Sequence, residues 1–248
     1  MRLTVLGCAG SFPGPESACS AYLVEAEGFR LLLDFGSGAM SALQRYASLK
    51  SIDAIVLSHL HCDHMADAAT YVVVRRYGPD GPLPPIPVYA PAGAPERIAA
   101  AYSLDEGPLD DVYTFYALQP GSFPIGPFHV AVDRVVHPVE TYGVRIEHSG
   151  RVLAYSGDTA PCDALLRLAH NADVFLCEAS YLDGVDNPPG LHLTGREAGE
   201  MATKAGVSSL LLTHLVAAWG SESETYQHAA EAFSGPVEVV RPGCRYEI

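Results

Sequence analysis

Between residues 58 and 64 the chain reads Ser58-His59-Leu60-His61-Cys62-Asp63-His64, directly after the apolar segment 53–57. Three imidazoles and a carboxylate gathered within six residues at the end of a buried strand are costly to desolvate unless a cation offsets them. While the chain is extended, alternation puts His59 and His61 on one side. The turn into the next helix then aims Asp63 and His64 at an adjacent point. This spacing provides for two metal ions, one on each pair.

The remaining chain supplies what such a site still needs. His137 follows an expected strand over 128–136, and His214 follows Leu210-Leu211-Leu212-Thr213. Asp158 stands in Tyr155-Ser156-Gly157-Asp158-Thr159, where a glycine turn projects a carboxylate from a strand end. Strand ends are where a scaffold holds reactive groups rigidly while loops give access. Nitrogen and oxygen donors without a thiolate suit two divalent ions, with Zn²⁺ first and Mn²⁺ or Fe²⁺ as alternatives. The six cysteines never form a CxxC pair, and several lie in apolar runs, so they read as buried reduced thiols.

Strand and helix patterns alternate along the whole length. Strands are expected over 2–7, 21–25, 29–34, 53–57, 88–89, 112–117, 128–136, 143–147, 152–155, 174–177, 208–212 and 237–240. Helices are expected over 41–48, 64–77, 95–102, 161–169, 194–204 and 223–233. Thr194 caps the fifth helix, and Glu197 completes a capping box. Each half gives strands first and then strand–helix alternation, and no stretch resembles a linker. The expected class is α/β, a four-layer αβ/βα sandwich of two mixed sheets packed face to face, as one domain over residues 1–248. The apolar runs fall far short of the roughly 18 residues of a membrane span. Neither is there a secretory leader at Met1–Gly7, so the reading is cytoplasmic.

The array His59-x-His61-x-Asp63-His64, then His137, Asp158 and His214, resembles the metallo-β-lactamase superfamily over essentially the full chain. The resemblance implies that His59, His61 and His137 bind one metal. It implies that Asp63, His64 and His214 bind a second, and that Asp158 bridges both. Leu191-His192-Leu193-Thr194-Gly195-Arg196-Glu197-Ala198 is similar to an element of ribonuclease Z-like phosphodiesterases. There the histidine donates a proton to the leaving group and is oriented by a glutamate, here matched by Glu178. The stretch His137 to Val144 also resembles that branch. Two departures stand out. Only twenty residues separate His137 from Asp158, leaving no room for a tRNA-gripping arm, and the N-terminal loop 11–17 carries Glu16 instead of basic residues. The compact form looks more like small phosphodiesterases of the branch, including bacterial enzymes acting on cyclic nucleotides.

The expected activity is therefore hydrolysis of small phosphodiesters, with Asp63, His192 and Glu178 as the catalytic set. Asp63 can take a proton from the attacking water, and His192, held by Glu178, protonates the departing alkoxide. The rival readings are a thioesterase, lactonase or β-lactamase, a tRNA 3′-end endoribonuclease, an iron redox enzyme and a non-catalytic scaffold. Diiron reductases of this fold carry Glu where this chain has His61, and scaffolds lose ligands that are all present here. A net charge of −14 argues against general affinity for nucleic acid but not against a small anion, since bound cations add local positive charge. A homodimer is plausible from the resemblance. Asp34 fits either support of a metal-ligating histidine or a loop cap, Asp67 a support or solvent group, and Tyr181 and Trp219 either base stacking or pocket closure. His129, His148, His170 and His228 read as ordinary histidines.

Overall fold

The computed structural model describes residues 1–103, 107–216, 218–220 and 222–248. The first half runs β1 (Arg2–Ala9), β2 (Ala18–Cys19), β3 (Ala21–Ala26), β4 (Phe29–Leu33), α1 (Ala39–Leu43), β5 (Ala54–Val56), α2 (Cys62–Arg76), β6 (Ile86–Ala90), α3 (Ala94–Tyr102) and β7 (Tyr113–Ala117). The second half runs β8 (Gly121–Ile125), β9 (Phe128–Arg134), β10 (Tyr142–His148), β11 (Arg151–Tyr155), α4 (Asp163–Ala169), β12 (Val174–Glu178), α5 (Gly195–Ala205), β13 (Leu210–Thr213), α6 (Glu222–Ala232), β14 (Val237–Val239) and β15 (Arg245–Glu247).

Two mixed sheets result. One has the order β15-β1-β3-β4-β5-β6-β7 with β2 beside β1, and the other β14-β13-β12-β11-β10-β9-β8. Strands β4 to β7 are mutually parallel, as are β11 to β14. The layering follows from side-chain alternation. In β4, Leu31 and Leu33 join the core between the sheets, whereas Leu32 faces the helices with Phe35, Met65, Tyr71 and Ile98. In β13, Leu211 points inward, and Leu210 and Leu212 pack outward with Leu165, Met201 and Phe233. A strand covered on both faces must be apolar at every position, which is why three leucines run consecutively in each case. Complete burial of each such side chain is worth about 1.5–3 kcal/mol.

The expected four-layer sandwich is thus what forms, with differences at its margins. Strands β2, β8 and β15 were not expected from the sequence. Strand β8 carries Pro124 and is largely exposed, and β15 exposes Arg245 and Glu247. Both are edge strands, where proline and charge are tolerated and the apolar signal fades. The helix expected over 41–48 is the shorter Ala39–Leu43, entered through Gly38 in the left-handed region at φ 85°. Helix α2 starts at Cys62, not His64, with His61 as its extended N-cap, so Asp63 and His64 lie in its first turn. At α5 the capping box forms as read: Thr194 accepts from the Glu197 amide at 3.2 Å and Glu197 from the Thr194 amide at 2.9 Å. None of the helices among the described residues is long and apolar enough to cross a membrane.

Candidate metal centre

The parallel strands β4, β5, β11, β12 and β13 end at one rim, where Asp34, His59, Asp158, Glu178 and His214 follow or close them. Helix α2 brings Asp63 and His64 there, and the segment after β9 brings His137. All seven residues of the expected ligand set converge in two groups, His59 with His61 and His137, and Asp63 with His64, Asp158 and His214. In the first, His61 Nδ1 lies 3.0 Å from His59 Nε2 and 3.3 Å from His137 Nε2. In the second, His64 Nε2 lies 3.0 Å from His214 Nε2, and Asp158 Oδ1 lies 3.2 and 3.4 Å from these two nitrogens. Asp63 Oδ2 is 3.1 Å from His214 Nε2. The other oxygen of Asp158 leans toward the first group, 3.7 Å from His59 Nε2.

Hydrogen-bond partners fix where the imidazole protons sit. His64 Nδ1 faces Asp34 Oδ2 at 2.7 Å and His137 Nδ1 faces the Leu191 carbonyl at 2.9 Å, both pure acceptors. Ser58 commits its hydroxyl proton to Asp34, at 2.8 Å, so it accepts from His59 Nδ1 at 3.1 Å. The Ser180 hydroxyl faces Glu178 Oε2 and the His214 carbonyl, again pure acceptors, so it accepts from His214 Nδ1 at 2.7 Å. With Nδ1 so committed, each of these four rings aims its Nε2 inward, and in the neutral form that atom is a lone-pair donor. Asp158 Oδ1 is buried among them without a hydrogen-bond partner. Lone pairs and a carboxylate oxygen packed this closely repel one another, and a divalent cation resolves the repulsion. The donors fit such an ion.

The electrostatics agree. Burial, followed by the charge of His64, pushes His59 well below its ordinary value, keeping it a neutral donor. Burial would raise Asp158, but the imidazoles of His214, His64 and His59 hold it ionised, well below the usual carboxylate range. Burial would likewise lower His64, yet the Asp158 and Asp34 carboxylates raise it well above its ordinary value. Their fields draw positive charge to this point.

Beside the cluster, His192 Nδ1 lies 2.8 Å from Glu178 Oε1. The buried Glu178 also accepts from the Thr159 amide at 2.7 Å and from the amide and hydroxyl of Ser180, at 3.2 and 2.9 Å. With its oxygens so occupied, Glu178 is an acceptor for donors more than a metal ligand. Burial would lower His192, but the hydrogen bond and charge of Glu178 raise it above its ordinary value. Its ring lies 5.4 Å from that of His137 and 5.6 Å from that of His214.

Residues 30–215 match the family described as the beta-lactamase superfamily domain. The chain belongs to the metallo-β-lactamase superfamily. Within it, the chain is similar to the metallo-β-lactamase fold protein YhfI of Bacillus subtilis, a probable metallo-hydrolase. The two share 30% identity over the whole of both chains, and the crystal structure of YhfI superposes with a TM-score of 0.88, covering 99% of each. An uncharacterized protein of Mycobacterium tuberculosis, Rv1339, is 44% identical over 97% of this chain and 89% of its own length. Ribonuclease Z of Mycolicibacterium gilvum is 32% identical over 96% of this chain and 93% of its own.

Several contributors to the site carry little sequence signal. Ser58, Tyr155 and Ser180 hydrogen-bond to members and neighbours of the donor cluster, yet serines and a tyrosine at strand ends have no distinguishing pattern. Asp34 is the support of His64, not a loop cap: it also accepts from the Ser58 amide at 2.6 Å and from Tyr155 Oη at 2.6 Å. Asp67 lies apart from the donor cluster and caps α1 instead, accepting from the Met40 amide at 2.7 Å. His148 pairs with Glu27 and His228 with Asp183, away from the cluster.

Proposed function

We propose that this metallo-β-lactamase-fold chain is a metal-dependent phosphodiesterase of small phosphodiesters, cyclic nucleotides among them. The observation that carries the reading is the Glu178–His192 pair beside the donor cluster. Hydrolysis at a carbonyl has less need of it, whereas a poorly leaving alkoxide needs a proton donor. In this reading His59, His61 and His137 would hold one divalent ion and Asp63, His64 and His214 a second, with Asp158 available to both, and the donor set would favour zinc over manganese or iron. Such ions supply acidification of a water molecule and neutralisation of charge on the phosphoryl oxygens.

The chain's own groups do the rest. Asp63, whose carboxyl is held below the usual range by His214 and His64 against the effect of burial, accepts the proton of the attacking water. The new bond forms between water oxygen and phosphorus as the bond to the alkoxide breaks. His192 passes its Nε2 proton to that alkoxide, and the elevation produced by Glu178 keeps it protonated for this step. The product is a phosphomonoester. A panel of 3′,5′-cyclic AMP, bis(4-nitrophenyl) phosphate, a thioester, a lactone and a β-lactam tests the proposal. Turnover confined to the carbonyl substrates would overturn it.

A further inference from the structure

Two aromatic side chains, on loops whose backbones reach the donor cluster or the segment just past His214, are left in solvent. Phe12 is 45% exposed and Trp219 is 55% exposed, although both are large and apolar. They come from distant parts of the chain and meet as an edge-on pair, ring centroids 6.4 Å apart with the planes 70° from parallel. In that arrangement each ring leaves at least one π face uncovered by its neighbour.

Both are tied to the metal donors. The Ser11 amide donates to Asp63 Oδ2 at 2.9 Å, so Phe12 is one residue from a backbone group touching the donor cluster. The Gly10 amide donates to the Leu215 carbonyl at 3.1 Å, and Ala9 bridges to Leu215, which runs the two loops side by side just past His214. The Trp219 amide donates to the Val216 carbonyl at 2.9 Å, which ties the backbone of Trp219 to a residue two positions from His214. Beyond it, Gly220 packs against Leu182, next to Tyr181, whose ring meets that of His192 edge-on at 5.1 Å. The rim therefore passes from the Asp63 side to the proton donor, and the exposed pair stands on it.

We infer that Phe12 and Trp219 form a stacking platform for a nucleobase, so that the site selects a nucleoside-bearing phosphodiester; this rests on the phosphodiesterase reading above. An exposed indole face at a phosphate site suits a flat heterocycle, because stacking needs no hydrogen-bond code and accepts any base. Two rings are far too small an area for a protein partner. The acidic chain, at −14, gives no support to a long polyanion, which leaves a single nucleotide as the fitting occupant.

Trp219 is the sole tryptophan of the sequence, so its fluorescence reports the platform directly. Titration of the metal-loaded protein with adenosine 5′-monophosphate is expected to quench that emission, and ribose 5-phosphate is expected not to. Trp219→Ala should raise KM for 3′,5′-cyclic AMP by about five- to a hundred-fold with kcat within about two-fold, Phe12→Ala should do so less, and Trp219→Phe should restore most of the loss. Equal quenching by ribose 5-phosphate, or an unchanged KM in Trp219→Ala, would overturn the inference. If the wild-type protein turns over no phosphodiester, the phosphodiesterase reading fails, and the fluorescence arm still decides whether a base is bound.

Discussion

Glu178 Oε1 accepts from Nδ1 of His192 at 2.8 Å and from the Thr159 amide at 2.7 Å, one residue beyond Asp158. Through Ser180, the same carboxylate is joined to the outer nitrogen of His214. One buried acid thus fixes both the proposed proton donor and a candidate ligand of the second metal, which couples the positions of the two.

That coupling separates binding from chemistry. His192→Ala leaves the two donor groups intact, so full metal occupancy is expected together with a loss of about 10²-fold or more in kcat on an alkyl phosphodiester. The loss should shrink on bis(4-nitrophenyl) phosphate, whose leaving group needs little protonation. An equal loss on both esters would remove His192 from the role of acid.

The metals themselves can be counted. Seven convergent donors and the unpartnered Asp158 Oδ1 predict two divalent ions per chain. Elemental analysis of loaded protein should return a ratio near two, and Asp158→Ala should weaken both sites where His137→Ala weakens one. Chelation should lower the melting temperature, because ions bound to the folded state alone stabilise it by mass action. A ratio of one in fully loaded protein would contradict the two-ion reading.

Asp34 predicts a stability effect away from the reacting atoms. Its carboxylate takes four hydrogen bonds, from the Ser58 amide and hydroxyl, Tyr155 and His64, and it is fully buried. Asp34→Ala would strand all four donors and should cost about 3–5 kcal/mol in urea unfolding. It would also place alanine at φ 57°, a conformation asparagine tolerates better. Tyr155→Phe removes one bond and should cost about 1 kcal/mol. Indistinguishable urea midpoints for Asp34→Ala and wild type would refute this account.

These cases show what the sequence made legible. The convergence of the seven donors was readable because histidines and aspartates at strand ends have few other reasons to cluster, and the layers because runs such as Leu31 to Leu33 can only be buried on both sides. The supporting shell was not. Ser58, Tyr155 and Ser180 act through distances set by strands far apart in sequence, and Asp34 could not be told from a loop cap until His64 was seen 2.7 Å away. Edge strands β8 and β15 escaped for a related reason: half-exposed strands lose the apolar signal that marks the central ones.

Thiol chemistry gives an independent check with a defined pH window. All six cysteines are unpaired, and Cys62 is exposed. Burial pushes the Cys8 thiol up to about 11 and Cys19 up to about 12 from an ordinary value near 9. At pH 8 these two stay protonated and unreactive, so a thiol reagent should modify Cys62 first and reach Cys19 and Cys177 only on unfolding. Since the unfolded chain ionises near 9 and the folded one higher, these thiols subtract stability as pH rises above about 9 and leave it unchanged below about 8. A full count of six thiols in denaturant is expected. Fewer would mean disulfides.

The last prediction concerns substrate size. Ribonuclease Z is among the relatives, so tRNA 3′-end cleavage is the activity to compare. Between His137 and Asp158 the chain is a plain hairpin of β10 and β11, turned at Ser149 and Gly150 in the left-handed region, with no inserted arm. The N-terminal loop that supplies Ser11 and Phe12 carries Glu16, and the whole chain carries 15 basic against 29 acidic residues. A tRNA is held through many phosphate contacts, each needing a cation, and its affinity falls steeply as salt rises. A cyclic nucleotide brings one negative charge, which the metal centre can satisfy without basic surface. At near-physiological salt, kcat/KM on 3′,5′-cyclic AMP should therefore exceed that on precursor tRNA. Raising the salt from about 50 to 200 mM should change the former far less than the orders of magnitude expected of a many-phosphate ligand. Efficient tRNA 3′-end cleavage without turnover of cyclic nucleotide or bis(4-nitrophenyl) phosphate would reverse the assignment of substrate size and leave the metal centre as described.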